Sequence, residues 1–422
     1  MIRGICDKDA DNHMKISNLQ LNSKKAVKYI SSEIAHICRD MEKRSPGSRG
    51  ERKAAEYMAK VLRDQGGCKE PVIETFKAHL DSFYGYCRMS AVLDTVSCLG
   101  FFLHPVISLI SGCISIFLFI FYFVMYKPII DWMFPERESV NVTAIRPCVG
   151  EIKRRVFLNG HIDAAWEFTL NYHFGGVAFE IPIVMALIGI TFYTVISACA
   201  VCGAGAWTLT AACWGLLFLP FFIAIWFTFN PKKVVDGAND NLSGCYMGIT
   251  LLREMEQHGI NLENTEVGVI LTGSEEAGLR GAKAWTAAHQ DEYRDVPTYI
   301  ISIDTIHDPR FLAVNEYDLN GTVKADTALS AVFLQAAREV NVPCQRSRVP
   351  LLGGSTDSAA FTQGGFRSVG ITGLNHKLED YYHTRKDSYN HLNEEGLENC
   401  YKTTVRFLEL IDQGVLDQPA SR

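Results

Sequence analysis

Hydrophobic and polar positions fall into three regimes along this chain. From Lys24 to Gly67, charges interrupt apolar residues at helical spacing in KKAVKYISSEIAHICRDMEKR and RGERKAAEYMAKVLRDQGG, with Pro46-Gly47 between them. That pattern predicts two amphipathic helices around a loop. Two blocks then lack any Asp, Glu, Lys or Arg: Thr95 to Tyr126, 32 residues, and Ile181 to Pro231, 51 residues. Both exceed the ~20 residues that cross a bilayer, and runs such as CISIFLFIFYFVMY offer no polar face to water. The second block breaks at Gly203-Ala204-Gly205, predicting a transmembrane hairpin. The first has a turn signal at His104-Pro105, predicting two shorter helices, Met89 to His104 and Val106 to Tyr126.

Elsewhere the pattern is that of an α/β enzyme. Arg155 to Asn159, Val267 to Thr272, Tyr299 to Ile303 and Val369 to Thr372 read as strands, and Leu242 to Gln257 and Ala325 to Val340 as helices. Such alternation predicts a mostly parallel or mixed sheet. The hydrophobic content of 48% comes from the two blocks, and the net charge of -6 has no basic stripe, which excludes nucleic acid as a partner. The first residues, MIRGICDKDADNHMKISN, hold no apolar core of the secretory type. Thirteen irregularly spaced cysteines suit reduced thiols, and Cys199 with Cys202 reads as a membrane-buried pair of thiols.

The residues that carry chemistry follow strands or lie in Gly-rich turns. RRVFLNGHID sets His161 and Asp163 after a strand, DGANDNLSG sets Asp240 before a helix, and VILTGSEEAGLRG sets Glu275 and Glu276 after another strand. ISIDTIHD ends a further strand with Asp304, and YYHTRKD holds Tyr382 and His383. Imidazoles and carboxylates suit zinc, and two ions can share a bridging carboxylate at roughly 3.5 to 4 Å separation.

This ordered set resembles the di-zinc aminopeptidase family that includes bacterial leucyl aminopeptidases, aminopeptidase Y, glutamate carboxypeptidase and glutaminyl cyclase. RSPGSRGERKAAEYMAKVLRDQG and GGSTDSAAFTQGGFRSVGI extend the likeness towards both ends. The resemblance implies a zinc-exopeptidase-like mixed sheet flanked by helices and a cofactor of two zinc ions. It places one zinc on His161 and Asp304, the other on Glu276 and His383, with Asp240 bridging. It also implies that Asp163 orients His161, that Glu275 is the general base, and that Tyr382 donates to the tetrahedral oxyanion. The chain departs from compact members in one place: 79 residues, including the whole second apolar block, separate His161 from Asp240.

The expected organisation is a peptidase domain in three pieces, 1–88, 131–178 and 232–422, interrupted by transmembrane blocks at 89–130 and 179–231. Residues on both sides of an insertion must share one metal shell, so each insertion has to cross the membrane an even number of times. Arg88, Lys127, Lys232 and Lys233 flank the segments while the hairpin tips carry no Lys or Arg, which orients the catalytic domain to the cytoplasmic face of a cell membrane. The expected activity is removal of N-terminal residues from peptides, with the lipid bilayer as the other partner. The alternatives are an inactive relative serving as a membrane receptor or subunit, and a glutaminyl cyclase-like enzyme. The deacylase and carboxypeptidase group fits less well, because Asp304 and His383 are only 79 positions apart, too few for its inserted lid domain.

Overall fold

Continuous burial, rather than alternation, marks the strands at the centre of this protein. Every residue of Arg154–His161, Thr265–Thr272 and Thr298–Ile306 is buried, and such strands need helices on both faces. The computed structural model describes residues 16–417 apart from 376 and 378. Most of the N-terminal stretch MIRGICDKDADNHMKISN lies outside them.

The strands are β1 (Val72–Ala78), β2 (Arg137–Arg146), β3 (Arg154–His161), β4 (Trp166–Phe168), β5 (Phe229–Val234), β6 (Thr265–Thr272), β7 (Thr298–Ile306), β8 (Leu312–Asp318), β9 (Val323–Lys324), β10 (Gln345–Arg348) and β11 (Arg367–Gly373). The helices are α1 (Ser23–Asp40), α2 (Arg49–Gln65), α3 (Ser82–Gly100), α4 (Pro105–Leu118), α5 (Thr169–Phe174), α6 (Gly176–Val201), α7 (Trp207–Gly215), α8 (Leu219–Ile225), α9 (Ser243–Gln257), α10 (Arg280–His289), α11 (Thr327–Glu339), α12 (Asp357–Gln363) and α13 (Glu394–Asp412).

The main sheet has the order β1-β2-β6-β3-β7-β11-β8-β10, with β9 on β8. Its centre, β6-β3-β7-β11, is parallel, and β2 and β8 pair antiparallel on either side. Helices α1, α2, α9, α11 and α13 cover one face and α10 and α12 the other. Helix α9 lies so close to the sheet that a Cβ on Gly244 would sit 2.0 Å from the Ile303 carbonyl oxygen. Only a residue without a side chain permits that approach.

Both apolar blocks are excursions from antiparallel strand pairs. In the β1–β2 pair Ala78 lies opposite Arg137, and residues 79–136 between them contain α3 and α4. In the β4–β5 pair Phe168 lies opposite Phe229, and residues 169–228 contain α5 to α8. Among the described residues three helical spans are long and apolar enough to cross a membrane: Pro105–Val124, Gly176–Val201 and Trp207–Ile225.

Helix α3 packs with them but begins at Ser82, seven residues before the expected start. It runs through Arg88 and Asp94 because both find partners inside the helical cluster. Arg88 lies over the Trp226 ring at 5.5 Å, and Asp94 accepts a 2.6 Å hydrogen bond from Ser115. The cluster is tied to the sheet domain by Arg280, which donates to both carboxylate oxygens of Asp131 (2.7 and 3.0 Å), to Ser82 and to Tyr122.

Replacing Gly244 with alanine is predicted to destabilise the protein by about 1 to 3 kcal/mol, the usual range for an overpacked core. A thermal melt unchanged from wild type would contradict this account of the helix–sheet contact.

Candidate active site

Three parallel neighbours in the sheet end at one edge, and their carboxyl ends supply the first candidates. His161 closes β3, Glu275 and Glu276 follow β6, and Asp304 lies near the end of β7. Asp240 sits in the irregular turn Ala238–Leu242 that leads into α9, and His383 comes from the loop between β11 and α13. The structure brings all five predicted metal ligands together. Asp240 divides its carboxylate: Oδ1 is 3.0 Å from His161 Nε2, and Oδ2 is 3.0 Å from His383 Nε2. Glu276 Oε1 is 3.2 Å from His383 Nε2, and Glu275 Oε2 is 3.9 Å from His161 Nε2.

Among the described residues three groups have donor atoms close enough to hold a cation: His161, Asp240 and Asp304; Asp240, Glu276 and His383; and His161, Glu275 and Glu276. The first two share Asp240, in the arrangement expected for a bridge.

Asp163 has a broader role than orienting one ring. Its carboxylate accepts the backbone N–H groups of Glu275 and Glu276, each at 3.0 Å, while its own carbonyl oxygen is 3.2 Å from His161 Nδ1. It thereby leaves Nε2 of His161 to face Asp240 and clamps the two glutamates to the same strand end. The Tyr382 ring stacks on that of His383, centroids 4.1 Å apart, and lines the cavity that reaches Glu275, Glu276 and Asp304. On the far side of His383, Phe168 packs edge-on at 4.5 Å and donates its N–H to the His383 carbonyl.

Several supporting residues carry no local sign of their role in the sequence. Asp387, four positions after His383, accepts from the backbone and side chain of Asn239 (2.9 and 2.8 Å) and from the Asp240 N–H (3.1 Å), so it holds the bridging turn. Glu51 accepts from the Ser274 N–H and hydroxyl, fixing the approach to Glu275. Arg44 is buried and donates to the carbonyls of Ile162, Asp236 and Gly237, joining the β3 end to the Asp240 turn. Asp357 is buried against Asn159 and Thr272 beneath the cluster. Ser274, Thr305 and His383 all adopt left-handed backbone conformations, with φ of +56°, +50° and +51°. Each such residue stores strain of order 1 kcal/mol or more, and strain of this kind collects at functional sites.

The electrostatics test whether a cation fits. Asp163, Asp240, Glu276, Asp304, Asp357 and Asp387 are all buried. Burial, followed by the charge of Asp240, pushes Asp304 up to about 8, and burial also raises Glu275 and Glu276. Burial alone would raise Asp240 as well, but hydrogen bonds from His161 and His383 outweigh it and hold that carboxyl below its usual range. Burial opposes charge on His383, yet Glu276 and Asp240 raise it to about 10. The cluster draws positive charge, and divalent cations on these imidazole and carboxylate donors fit that demand.

Residues 226–408 match peptidase family M28. Sequence comparison with curated proteins gives no match. A zinc aminopeptidase of Bacillus subtilis shares 13% identity at a TM-score of 0.55, over 91% of this chain and 95% of that one. An aminopeptidase of Aneurinibacillus sp. strain AM-1 shares 13% at 0.52, over 94% and 95%. A glutaminyl cyclase of Fimbriiglobus ruber shares 14% at 0.55, over 97% and 99%. These likenesses are of fold, and the fold is that of the zinc exopeptidases, a mixed sheet flanked by helices. The M28 match spans Asp240, Glu276, Asp304 and His383, and the long apolar helices are inserted into a sheet domain whose fold is like that of the zinc exopeptidases.

Asp387→Ala is expected to strand the Asn239 and Asp240 amides and to weaken metal binding by about 10- to 100-fold, as loss of a group behind a metal ligand does. A zinc titration giving the wild-type affinity would remove Asp387 from that role.

Proposed function

We propose that this chain is a membrane-anchored, two-zinc metallopeptidase that removes N-terminal residues from peptides. The observation that carries the reading is the division of Asp240 between His161 and His383, one carboxylate oxygen to each at 3.0 Å. His161 and Asp304 would hold one zinc and Glu276 and His383 the other, with Asp240 shared between the two groups. When bound, zinc supplies Lewis acidity for the scissile carbonyl and acidifies water towards neutrality.

Glu275, partly open to the cavity and clamped through its N–H to Asp163, takes the proton of the attacking water and delivers it to the leaving amine. Tyr382 donates to the oxygen that gains charge as the carbonyl carbon becomes tetrahedral. Asp163 and Asp387 hold their partners in place throughout. The helices from the two excursions seat the enzyme in a membrane, and Arg88, Lys127, Lys232 and Lys233 set the catalytic domain on its cytoplasmic side. The Fimbriiglobus ruber likeness favours one second reading, cyclisation of N-terminal glutamine, which a glutaminyl peptide assayed beside a leucyl peptide separates by product mass.

Glu275→Gln should lower turnover by about 100- to 10,000-fold, the range supplied by a general base, while zinc content stays near that of wild type. Loss of zinc instead would make Glu275 a ligand, the role its grouping with His161 and Glu276 also permits. Asp240→Ala should release both ions together, read by metal analysis after gel filtration. Chelation should abolish hydrolysis of aminoacyl chromogenic substrates, and activity that survives it would sink the metallopeptidase reading.

A further inference from the structure

The cavity at the candidate ligands does not stop at the edge of the sheet domain. It holds about 740 Å³ and continues from Glu275, Glu276 and His383 between α3, α4 and α6, a size within the ~300 to 1,000 Å³ of small-molecule pockets. Helices α4 and α6 meet closely at their far ends. A Ser197–Ser108 hydrogen bond of 2.7 Å joins them, and a Cβ on Gly112 would lie 2.2 Å from Thr194 Oγ1. Nearer the sheet the chamber occupies the space between them.

Phe179, beside the Phe168 ring that touches His383, and Thr191 both line the chamber. Their separation of twelve positions gives a depth of about 18 Å at ~1.5 Å per helical residue. That exceeds the reach of a single amino-acid side chain. Ile120 of the α4 span and Val184 of α6 line the chamber yet are 43% and 44% exposed. The chamber thus meets the exterior between two helices whose outer faces, with Phe117, Phe121, Ile181 and Ile188, are themselves apolar.

The walls decide what the occupant is. A peptide laid along the chamber needs a partner for each backbone N–H and C=O, at a cost of roughly 1 to 3 kcal/mol for each one left bare. Apart from Ser90 and Glu180, the Asp, Ser and Thr side chains that the helical walls present are already engaged. Asp94 is bonded to Ser115 (2.6 Å), Thr191 to the Leu187 carbonyl (2.8 Å) and Thr228 to the Ile225 carbonyl (2.9 Å). An aliphatic chain needs no such partners.

We propose that the substrate of this site is an amide bearing a long aliphatic chain, with the chain in the chamber between α4 and α6 and the amide at the ligand cluster. This rests on the hydrolase reading above and names its substrate class. The reaction is amide hydrolysis: the C–N bond breaks, the hydroxyl of water joins the carbonyl carbon, and its proton joins the leaving nitrogen. No other reactant is needed. The substrate enters sideways from the hydrocarbon layer, which explains why an exopeptidase fold has helices at its active-site mouth rather than a tether at one end.

The test uses the full chain, zinc-loaded, in phosphatidylcholine nanodiscs. Two series are assayed: leucine N-alkylamides from ethyl to dodecyl, with the chain on the amine side, and N-acyl-leucines from acetyl to dodecanoyl, with the chain on the acyl side. Burial of each methylene is worth up to roughly fourfold, so kcat/KM should rise at least about 30-fold from two to eight carbons in one series, and that series identifies which side carries the chain. Leu187→Trp, which fills the chamber midway, should lower the ratio of long-chain to short-chain kcat/KM at least about tenfold.

Cleavage of the short members with no dependence on chain length in either series overturns this inference and leaves the hydrolase intact. Cleavage of no amide in either series overturns the hydrolase reading itself. A third measurement stands apart from turnover and from the folding of Leu187→Trp. A dodecylamide with a terminal diazirine, irradiated on the Glu275→Gln protein, should label chamber-lining residues such as Ile116, Phe119, Phe123, Ile183 or Leu187. Labelling confined to outward-facing positions such as Phe117 and Ile188 would also overturn it.

Discussion

A single carboxylate shared between two imidazoles organises this protein. Asp240 is 4% exposed and places one oxygen on His161 and the other on His383, residues brought by a sheet strand, a helix-leading turn and a distant loop. A buried carboxylate is stable only where its charge is met. Positions that lie 79 and 143 residues from Asp240 must therefore converge on it. Asp163 and Asp387 then act as braces: one draws the Glu275-Glu276 backbone towards the His161 strand, the other draws the Asp240 turn towards the His383 loop. Because each brace is a buried acceptor filled by backbone amides, the site is built before any ion or substrate arrives, and that is what preorganisation requires.

The roots of the second excursion share this scaffold. Phe168, the last residue before it, packs on His383 and pairs with Phe229, the first residue after it. Asn171, in α5, donates to the carbonyls of Glu379 and Tyr382. The apolar helices are joined to the loop that carries a candidate ligand and are not a remote appendage. The first excursion is joined through Arg280 and Asp131 in the same way. Both helical pairs hold the cavity walls in fixed relation to the chemistry.

The legible part of the sequence was the part where one residue type has one strong use. Strands β3, β6, β7 and β11 were readable because strands covered on both faces are nearly all apolar, and the cluster at the sheet edge was readable because His and Asp or Glu following such strands have few structural uses in common. Strands β1, β8 and β10 were not, since VIETFKA, LAVNEYD and QRSR are mixed segments held by pairing rather than by hydrophobic pattern. The start of α3 was displaced because Arg88 reads as a boundary, and only a neighbouring helix reveals its partner, Trp226. Asp387, Asp357, Glu51 and Arg44 were silent for a related reason: each serves the site through a residue more than a hundred positions away, a relation no local spacing records.

The strand registers carry one more consequence. Ala78 faces Arg137 and Phe168 faces Phe229, so each apolar segment departs and returns through adjacent ladder positions, as an oversized hairpin loop does. Closure entropy grows only logarithmically with loop length, and a turn of a few residues could be exchanged for some sixty without altering the strands that flank it. The same arithmetic runs in reverse. A tight turn would close either stem at no greater entropic cost, so the two strand pairs are the seams at which the apolar helices join the sheet domain.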